Sequence, residues 1–192
     1  AIAPSGRVYV AVYQDDRVYS WPTLASMTGG AAPDQTFGTT NGDPDNGCTK
    51  GPSATVLCGP ESVTVDGNGN LYITDTYNHR VLIFTKAENA PNRTTADVVL
   101  GQPNFTSNTT NYDSSKADSI VEGFYNPRAL AVDKNNNLYV VDEFNHRVVK
   151  FNQPLTTDHL PDLVIGQDRL DTVPGKDNSG QSGDNRFNFL HA

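Results

Sequence analysis

Residues 60–84 read PESVTVDGNGNLYITDTYNHRVLIF, and residues 127–151 read PRALAVDKNNNLYVVDEFNHRVVKF. The two segments align without a gap at an offset of 67 residues, and 13 of their 25 positions are identical. Chance alone would give about one or two identities, so the segments are copies of one structural repeat.

A degenerate third copy precedes these two at an offset of 63 residues. Residues 6–10 match residues 69–73, and residues 17–21 match residues 80–84. The copies divide the 192 residues into three units of about 64 residues, and the first unit lacks most of its first strand. The predicted units are 1–61, 62–126 and 127–192.

Each full unit predicts four short strands. In the second unit they are residues 62–65, 71–74, 80–84 and 97–100. Asn, Asp and Gly in the intervening segments favour tight turns. Four antiparallel strands repeated in tandem are the unit of a β-propeller, so we predict an all-β fold. No segment keeps a 3.6-residue hydrophobic period, and we expect no long helix.

The repeated pattern P-x-x-[VL]-x-V-D-x-x-x-N-L-Y-[IV]-x-D-x-x-N-H-R-V-x-x-F resembles the NHL repeat. A later D-[VL]-V-[LI]-G-Q block resembles the long NHL units of large secreted bacterial proteins. The first unit departs from the pattern, because Asp15 and Asp16 stand where Asn and His are expected. The resemblance implies a six-bladed ring, of which three units form half.

Three blades cannot close a ring, since propellers have about four to eight. An open arc would leave a blade face and strand edges exposed to water. We therefore expect that another protein or a second copy of this chain completes the ring, or that the chain belongs to a longer protein.

The repeated turn carries four chemically active side chains in each full unit. They are Asp75, Asn78, His79 and Arg80, repeated as Asp142, Asn145, His146 and Arg147. The carboxylate can accept hydrogen bonds from the turn backbone, and the arginine can pair with a carboxylate. A set present in both full units favours a brace between blades over a catalytic site.

The only two cysteines are Cys48 and Cys58, too few for an all-thiolate zinc site, which needs about four. Both lie in a polar segment rich in Gly and Pro, so we predict a disulfide and an extracellular or periplasmic location. The alternative is two unrelated free thiols.

One end of the blades, which we call the turn face, carries the turns between second and third strands and the connections between units. The three long connections, 39–61, 102–126 and 168–192, contain ten acidic and five basic residues. This balance and the net charge of −8 argue against a nucleic-acid partner. No apolar run is long enough to insert into a membrane. We favour recognition by these connections over simple shielding of the blade edges.

One segment hints at a metal. Asn41, Asp43 and Asp45 place oxygen atoms at alternate positions before a glycine, as some calcium loops do. No distal bidentate Glu follows, and Asp-Pro and Asn-Gly are good turn formers. We favour a turn, keep calcium as the alternative, and expect no other cofactor.

We predict an extracellular, non-catalytic binding or assembly module that recognises its partner with the turn face. The alternative follows from the resemblance, because some NHL-like propellers are lyases or lactonases that hold a metal in the central channel. The expected inner strands, 62–65 and 129–132, contain no His, Asp or Glu. Such an enzyme would therefore carry its catalytic residues on blades outside this chain.

Overall fold

The computed structural model describes residues 1–38, 46–89, 95–112, 122–156 and 159–167. These residues form three antiparallel β-sheets, and hydrogen-bonded neighbours in each sheet are consecutive strands of the chain. This up-and-down order is that of propeller blades, so the predicted all-β fold is confirmed. We call the sheets the first, second and third blade.

The strands are numbered in chain order. The first blade contains β1 (Val8–Val12), β2 (Arg17–Trp21) and β3 (Gln35–Phe37). The second blade contains β4 (Val63–Val65), β5 (Leu71–Asp75), β6 (Arg80–Phe84) and β7 (Val98–Leu100). The third blade contains β8 (Pro127–Val132), β9 (Leu138–Asp142), β10 (Arg147–Phe151) and β11 (Leu163–Ile165). The α-helices of the described residues are α1 (Leu24–Thr28) and α2 (Asn46–Thr49).

The first blade has three strands instead of four. A single antiparallel bridge between Ile2 and Val8 stands where the other blades have their first strand. Helix α1 follows β2, and the N-cap Thr23 precedes it; the Thr23 side chain accepts a hydrogen bond from the Ser26 N–H in a capping box. None of the described helices combines the length and hydropathy needed to cross a membrane.

An aspartate organises the turn between the first two strands of each full blade. The Asp66 carboxylate accepts hydrogen bonds from the Asn68 and Asn70 N–H groups at 2.8 and 3.0 Å and from the Tyr72 hydroxyl at 3.0 Å. Asp133 does the same in the third blade. The V-D-x-x-x-N-L-Y part of the repeat is therefore the sequence of one self-capped turn.

The hydrophobic core lies between the blades. Strands β5 and β6 are buried at every position, whereas β9 and β10 alternate between buried and half-buried positions. Phe84 of the second blade packs edge-on against Phe37 of the first at a ring distance of 5.0 Å. On the opposite side, Tyr72 and Ile83 join a cluster with Val140 of the third blade. The second blade is thus covered on both faces.

Candidate functional site

The turn between the second and third strands of a full blade has the same backbone in all three blades. In the first blade, which lacks the first strand, the equivalent turn joins β1 and β2. In the second blade a single 3₁₀ turn spans Thr76–Asn78, and His79 follows it with a φ of 53°. Asp16 and His146 take the equivalent position with φ values of 53° and 52°. Asp and His are among the residues that tolerate this left-handed conformation, so the two residue types are interchangeable for the backbone.

A buried ion pair closes this turn in the second blade. Arg80 Nε donates to Asp75 Oδ2 at 2.6 Å, and both side chains are fully buried. The same carboxylate accepts the Cys58 N–H at 2.6 Å and the Asn78 amide at 3.0 Å. Burial raises the pKa of Asp75, and the Arg80 charge and these hydrogen bonds oppose that rise.

Arg80 also fastens the connections between blades. Its Nη2 donates to the carbonyls of Ser53 and Val56 at 2.9 and 3.0 Å, and its Nη1 donates to the Phe105 carbonyl at 2.5 Å. These carbonyls belong to the connections before and after the second blade. One guanidinium therefore holds both segments against the blade.

The third blade repeats the arrangement. Arg147 Nε donates to Asp142 Oδ2 at 2.7 Å, and Arg147 Nη2 donates to the Gly123 carbonyl at 2.9 Å. The Asn145 amide donates to the same carboxylate at 2.7 Å. The Tyr125 N–H, equivalent to that of Cys58, donates to Asp142 Oδ1 at 2.7 Å. In both full blades the structure thus brings together the predicted Asp, Asn and Arg side chains, whereas His79 and His146 take the left-handed position of the turn.

The residue at the left-handed position contacts the next blade. His79 Nδ1 accepts the Asn126 N–H at 3.3 Å, and Asp16 Oδ1 accepts the Gly59 N–H at 2.6 Å. Gly59 and Asn126 are equivalent residues, each directly before the proline that opens its unit. Asp16, which stands where the repeat has His, therefore still accepts this hydrogen bond, with a carboxylate in place of the imidazole.

A disulfide joins Cys48 to Cys58, with the Cα atoms 4.7 Å apart. Cys58 is buried beside Asp75, whereas Cys48 is exposed. Among the described residues, Asp16 and these two cysteines are the one group of three potential metal ligands, and both sulfur atoms are already joined to each other. The calcium candidates Asn41, Asp43 and Asp45 lie outside the described residues.

The turn face carries exposed aromatic side chains that sequence analysis did not single out. Tyr13, Tyr77, Tyr125 and Phe144 are the exposed large aromatics of the described chain, with 39–47% of each side chain accessible. Tyr77 and Phe144 are equivalent, and both occupy an unspecified position of the D-x-x-N-H-R motif. An aromatic residue at the same turn position of both full repeats was the signal that could have revealed them.

A charged group lies on the same face, at the start of the inner strands. Arg128 bonds the Glu61 carboxylate through Nε and donates from Nη1 to Glu143 at 2.6 Å. Glu61 and Arg128 are equivalent positions of neighbouring blades. Tyr125 packs edge-on against Phe144 at 5.0 Å and against His79 at 5.6 Å.

We expect the contact between the second and third blades to weaken in acid. Burial lowers the pKa of His79 from 6.5, although the nearby Asp142 charge opposes this effect. The unfolded chain then binds more protons below pH 6.5 than the folded chain, so the free energy of unfolding should fall as the pH drops through that value and level off below the folded pKa.

The His79→Asn variant tests this expectation. Asparagine tolerates the left-handed conformation and offers an amide oxygen as acceptor, but it does not titrate. Urea unfolding at a series of pH values should show a smaller loss of stability below pH 6.5 than in the wild type. If the free energy of unfolding changed equally with pH in the variant and the wild type, His79 would not be the group responsible. His159→Asn, at an exposed residue, serves as the control.

Two segments of the chain match a known repeat family. The profile of the NHL repeat matches residues 57–84 and 124–151, and no curated protein matches the chain. A streptogramin B lyase structure has a TM-score of 0.45 and 12% identity, covering 79% of this chain and 36% of that chain. Virginiamycin B lyase from Staphylococcus aureus has a TM-score of 0.47 and 12% identity, covering 88% and 40%.

This chain therefore spans less than half the length of either solved structure. The two profile matches contain both complete turn motifs and the buried ion pairs described above. The NHL repeat is thus found at residues 57–84 and 124–151, and the described residues fold into three blades of β-propeller type.

Proposed function

We propose that this chain is a non-catalytic binding module of an extracellular or periplasmic protein, and that it recognises its partner with the turn face. The observation that supports this proposal most directly is that the exposed aromatics of the described residues share this face: Tyr13, Tyr77, Tyr125 and Phe144. The disulfide supports an oxidising compartment.

The arrangement of these rings suits binding. Tyrosine and phenylalanine supply large contact areas with few rotatable bonds, so ordering them costs little entropy on association. Here the Tyr125 and Phe144 rings already contact each other, and Arg80 and Arg147 hold the underlying connections in place. A preorganised cluster of aromatic side chains is typical of protein recognition sites.

The proposal predicts that aromatic truncation abolishes recognition without unfolding the blades. Peptides selected from a phage-displayed random library on the wild-type protein should lose about tenfold or more in affinity for a Tyr77→Ala/Phe144→Ala variant. Leu24→Ala is the control, because Leu24 is also exposed but follows β2 at the opposite end of the blade. Unchanged binding to the double variant, or equal loss with Leu24→Ala, would contradict the proposal.

We also propose that a second copy of this chain supplies the further blades that complete the ring. The second blade is covered on both faces, whereas the first and third blades each pack against one neighbour among the described residues. Light scattering of the purified chain should therefore give at least twice its mass of 20.8 kDa. A well-folded monomer at micromolar concentration would contradict this proposal.

A further inference from the structure

We infer that a cleft between the first and second blades binds a lysine or arginine side chain of a peptide partner. The cleft has a volume of about 630 Å³ and opens on the turn face. Its walls include Tyr13, Tyr77, Asp15, Asp16 and Cys48. The inference rests on the proposed binding role and names the chemistry that this part of the face recognises.

Two tyrosines form a preorganised aromatic wall. The Tyr13 and Tyr77 rings meet edge to face at 5.9 Å, and their hydroxyl oxygens lie 2.5 Å apart. Gly59 lies beneath both rings with a φ of +60°, and a Cβ there would stand 2.8 Å from Tyr77 and 3.2 Å from Tyr13. The absence of a side chain at Gly59 therefore lets the two rings converge.

The charge of the cleft is negative. Asp15 and Asp16 line it, and the described part of the lining contains no lysine or arginine. The hydrogen bond to Tyr77 is the main cause that raises the pKa of Tyr13; the nearby Glu61 charge adds to the rise and Arg128 opposes it. Arg128 is itself bonded to Glu61 and Glu143. Arg17 Nη1 donates to the Tyr19 hydroxyl, which in turn donates to Asp15 Oδ2 at 3.0 Å. Around the cleft the carboxylates Asp15, Asp16, Glu61 and Glu143 outnumber the guanidinium groups of Arg17 and Arg128.

This chemistry belongs to one blade only. Asp15 and Asp16 are the residues at which the first unit departs from the repeat, where the second blade has Asn78 and His79. The departure adds negative charge beside an aromatic pair, in a cavity whose volume is typical of ligand sites. A cationic side chain can lie against a tyrosine face while its charge meets a carboxylate, and both contacts favour it over a neutral or anionic group.

The test uses blocked pentapeptides that differ only at the central residue, which is Lys, Arg, norleucine or Glu, with n-butylammonium as a free amine. Binding is followed through the NMR signals of Gly59, Tyr77 and Asp15. We expect the Lys and Arg peptides to bind about tenfold more tightly than norleucine and the Glu peptide to bind least. Asp15→Asn and Tyr77→Ala should each weaken the Lys peptide about fivefold. Leu24→Ala, at the opposite end of the blade, should leave it unchanged.

Each outcome decides a separate point. Equal binding of Lys and norleucine, or insensitivity to Asp15→Asn, would overturn the inference. Butylammonium binding as tightly as the Lys peptide would assign the cleft to small amines and overturn the peptide assignment. If library peptides still require Tyr77 and Phe144 but show no preference for cations, the proposed binding role stands and the inference fails. If no peptide binds the face, both fail. Unchanged thermal unfolding of each variant verifies folding.

Discussion

Replacing Arg80 with methionine should lower the free energy of unfolding by about 3–5 kcal/mol, because removal of one partner leaves an uncompensated buried charge. Asp75 would keep the Cys58 N–H and the Asn78 amide but lose its counter-charge. The carbonyls of Ser53, Val56 and Phe105 would lose their donor in the same substitution. Urea unfolding followed by circular dichroism measures the change.

A partly exposed ion pair of the same chemistry is the control. Arg7 donates to Asp34 at 2.7 Å, and 14% of the Arg7 side chain and 35% of the Asp34 side chain are accessible, whereas the Asp75–Arg80 pair is fully buried. Arg7→Met should cost about 1 kcal/mol, because water screens the pair. A cost for Arg80→Met as small as that for Arg7→Met would show that the buried pair is not a structural brace.

A double-mutant cycle separates the ion pair from the loop contacts. Asp75→Asn alone should also destabilise the protein, and Arg80→Met/Asp75→Asn should cost less than the sum of the single changes. The part of the Arg80→Met cost that exceeds this coupling free energy measures the hydrogen bonds from Arg80 to the connections. Additive costs would mean that the two side chains act independently, against the geometry of the turn.

The strands could be predicted from the sequence because their determinants are local. The pattern placed strands at 71–74 and 80–84, and the structure has β5 at Leu71–Asp75 and β6 at Arg80–Phe84. Alternation between apolar strands and turns of Asp, Asn and Gly fixes such boundaries. The same spacing indicated that Arg80 could pair with a carboxylate.

The contacts of the candidate site could not be predicted, because they depend on where the connections run. Nothing in the spacing of the motif shows that the Arg80 guanidinium reaches carbonyls 24 to 27 residues away. The departure at Asp16 was visible, but its hydrogen bond to the Gly59 N–H required the neighbouring blade. Exposure of Tyr77 likewise depends on tertiary packing, since aromatic residues are usually expected in the core.

Removing the disulfide by Cys48→Ala/Cys58→Ala should lower the free energy of unfolding by about 3 kcal/mol in the chain-entropy description. The two cysteines are 10 residues apart, so the bond mainly restricts the unfolded chain. The Cys58 N–H can still donate to Asp75 in the variant, because that contact uses the backbone. Urea unfolding of the variant and of reduced wild type should give the same midpoint.

Alkylation and mass measurement provide the direct check. Native protein without reductant should take up no alkylating agent, and reduced, unfolded protein should take up two equivalents. Two reactive thiols in the non-reduced native protein would contradict the disulfide. An equal midpoint for oxidised wild type and the double-alanine variant would show instead that the bond forms but does not stabilise the fold.

The disulfide should also affect the cleft, because Cys48 lines its wall while Cys58 is anchored beside Asp75. Once the bond is removed, the segment around Cys48 loses its covalent link to the second blade, whereas Tyr77 and Gly59 keep their own contacts. We therefore expect the double-alanine variant to bind the Lys peptide more weakly at a temperature where it remains folded. Arg80→Met is the control, because it destabilises the fold and leaves the disulfide in place. At a temperature where both variants have the same free energy of unfolding, only the double-alanine variant should bind the Lys peptide more weakly.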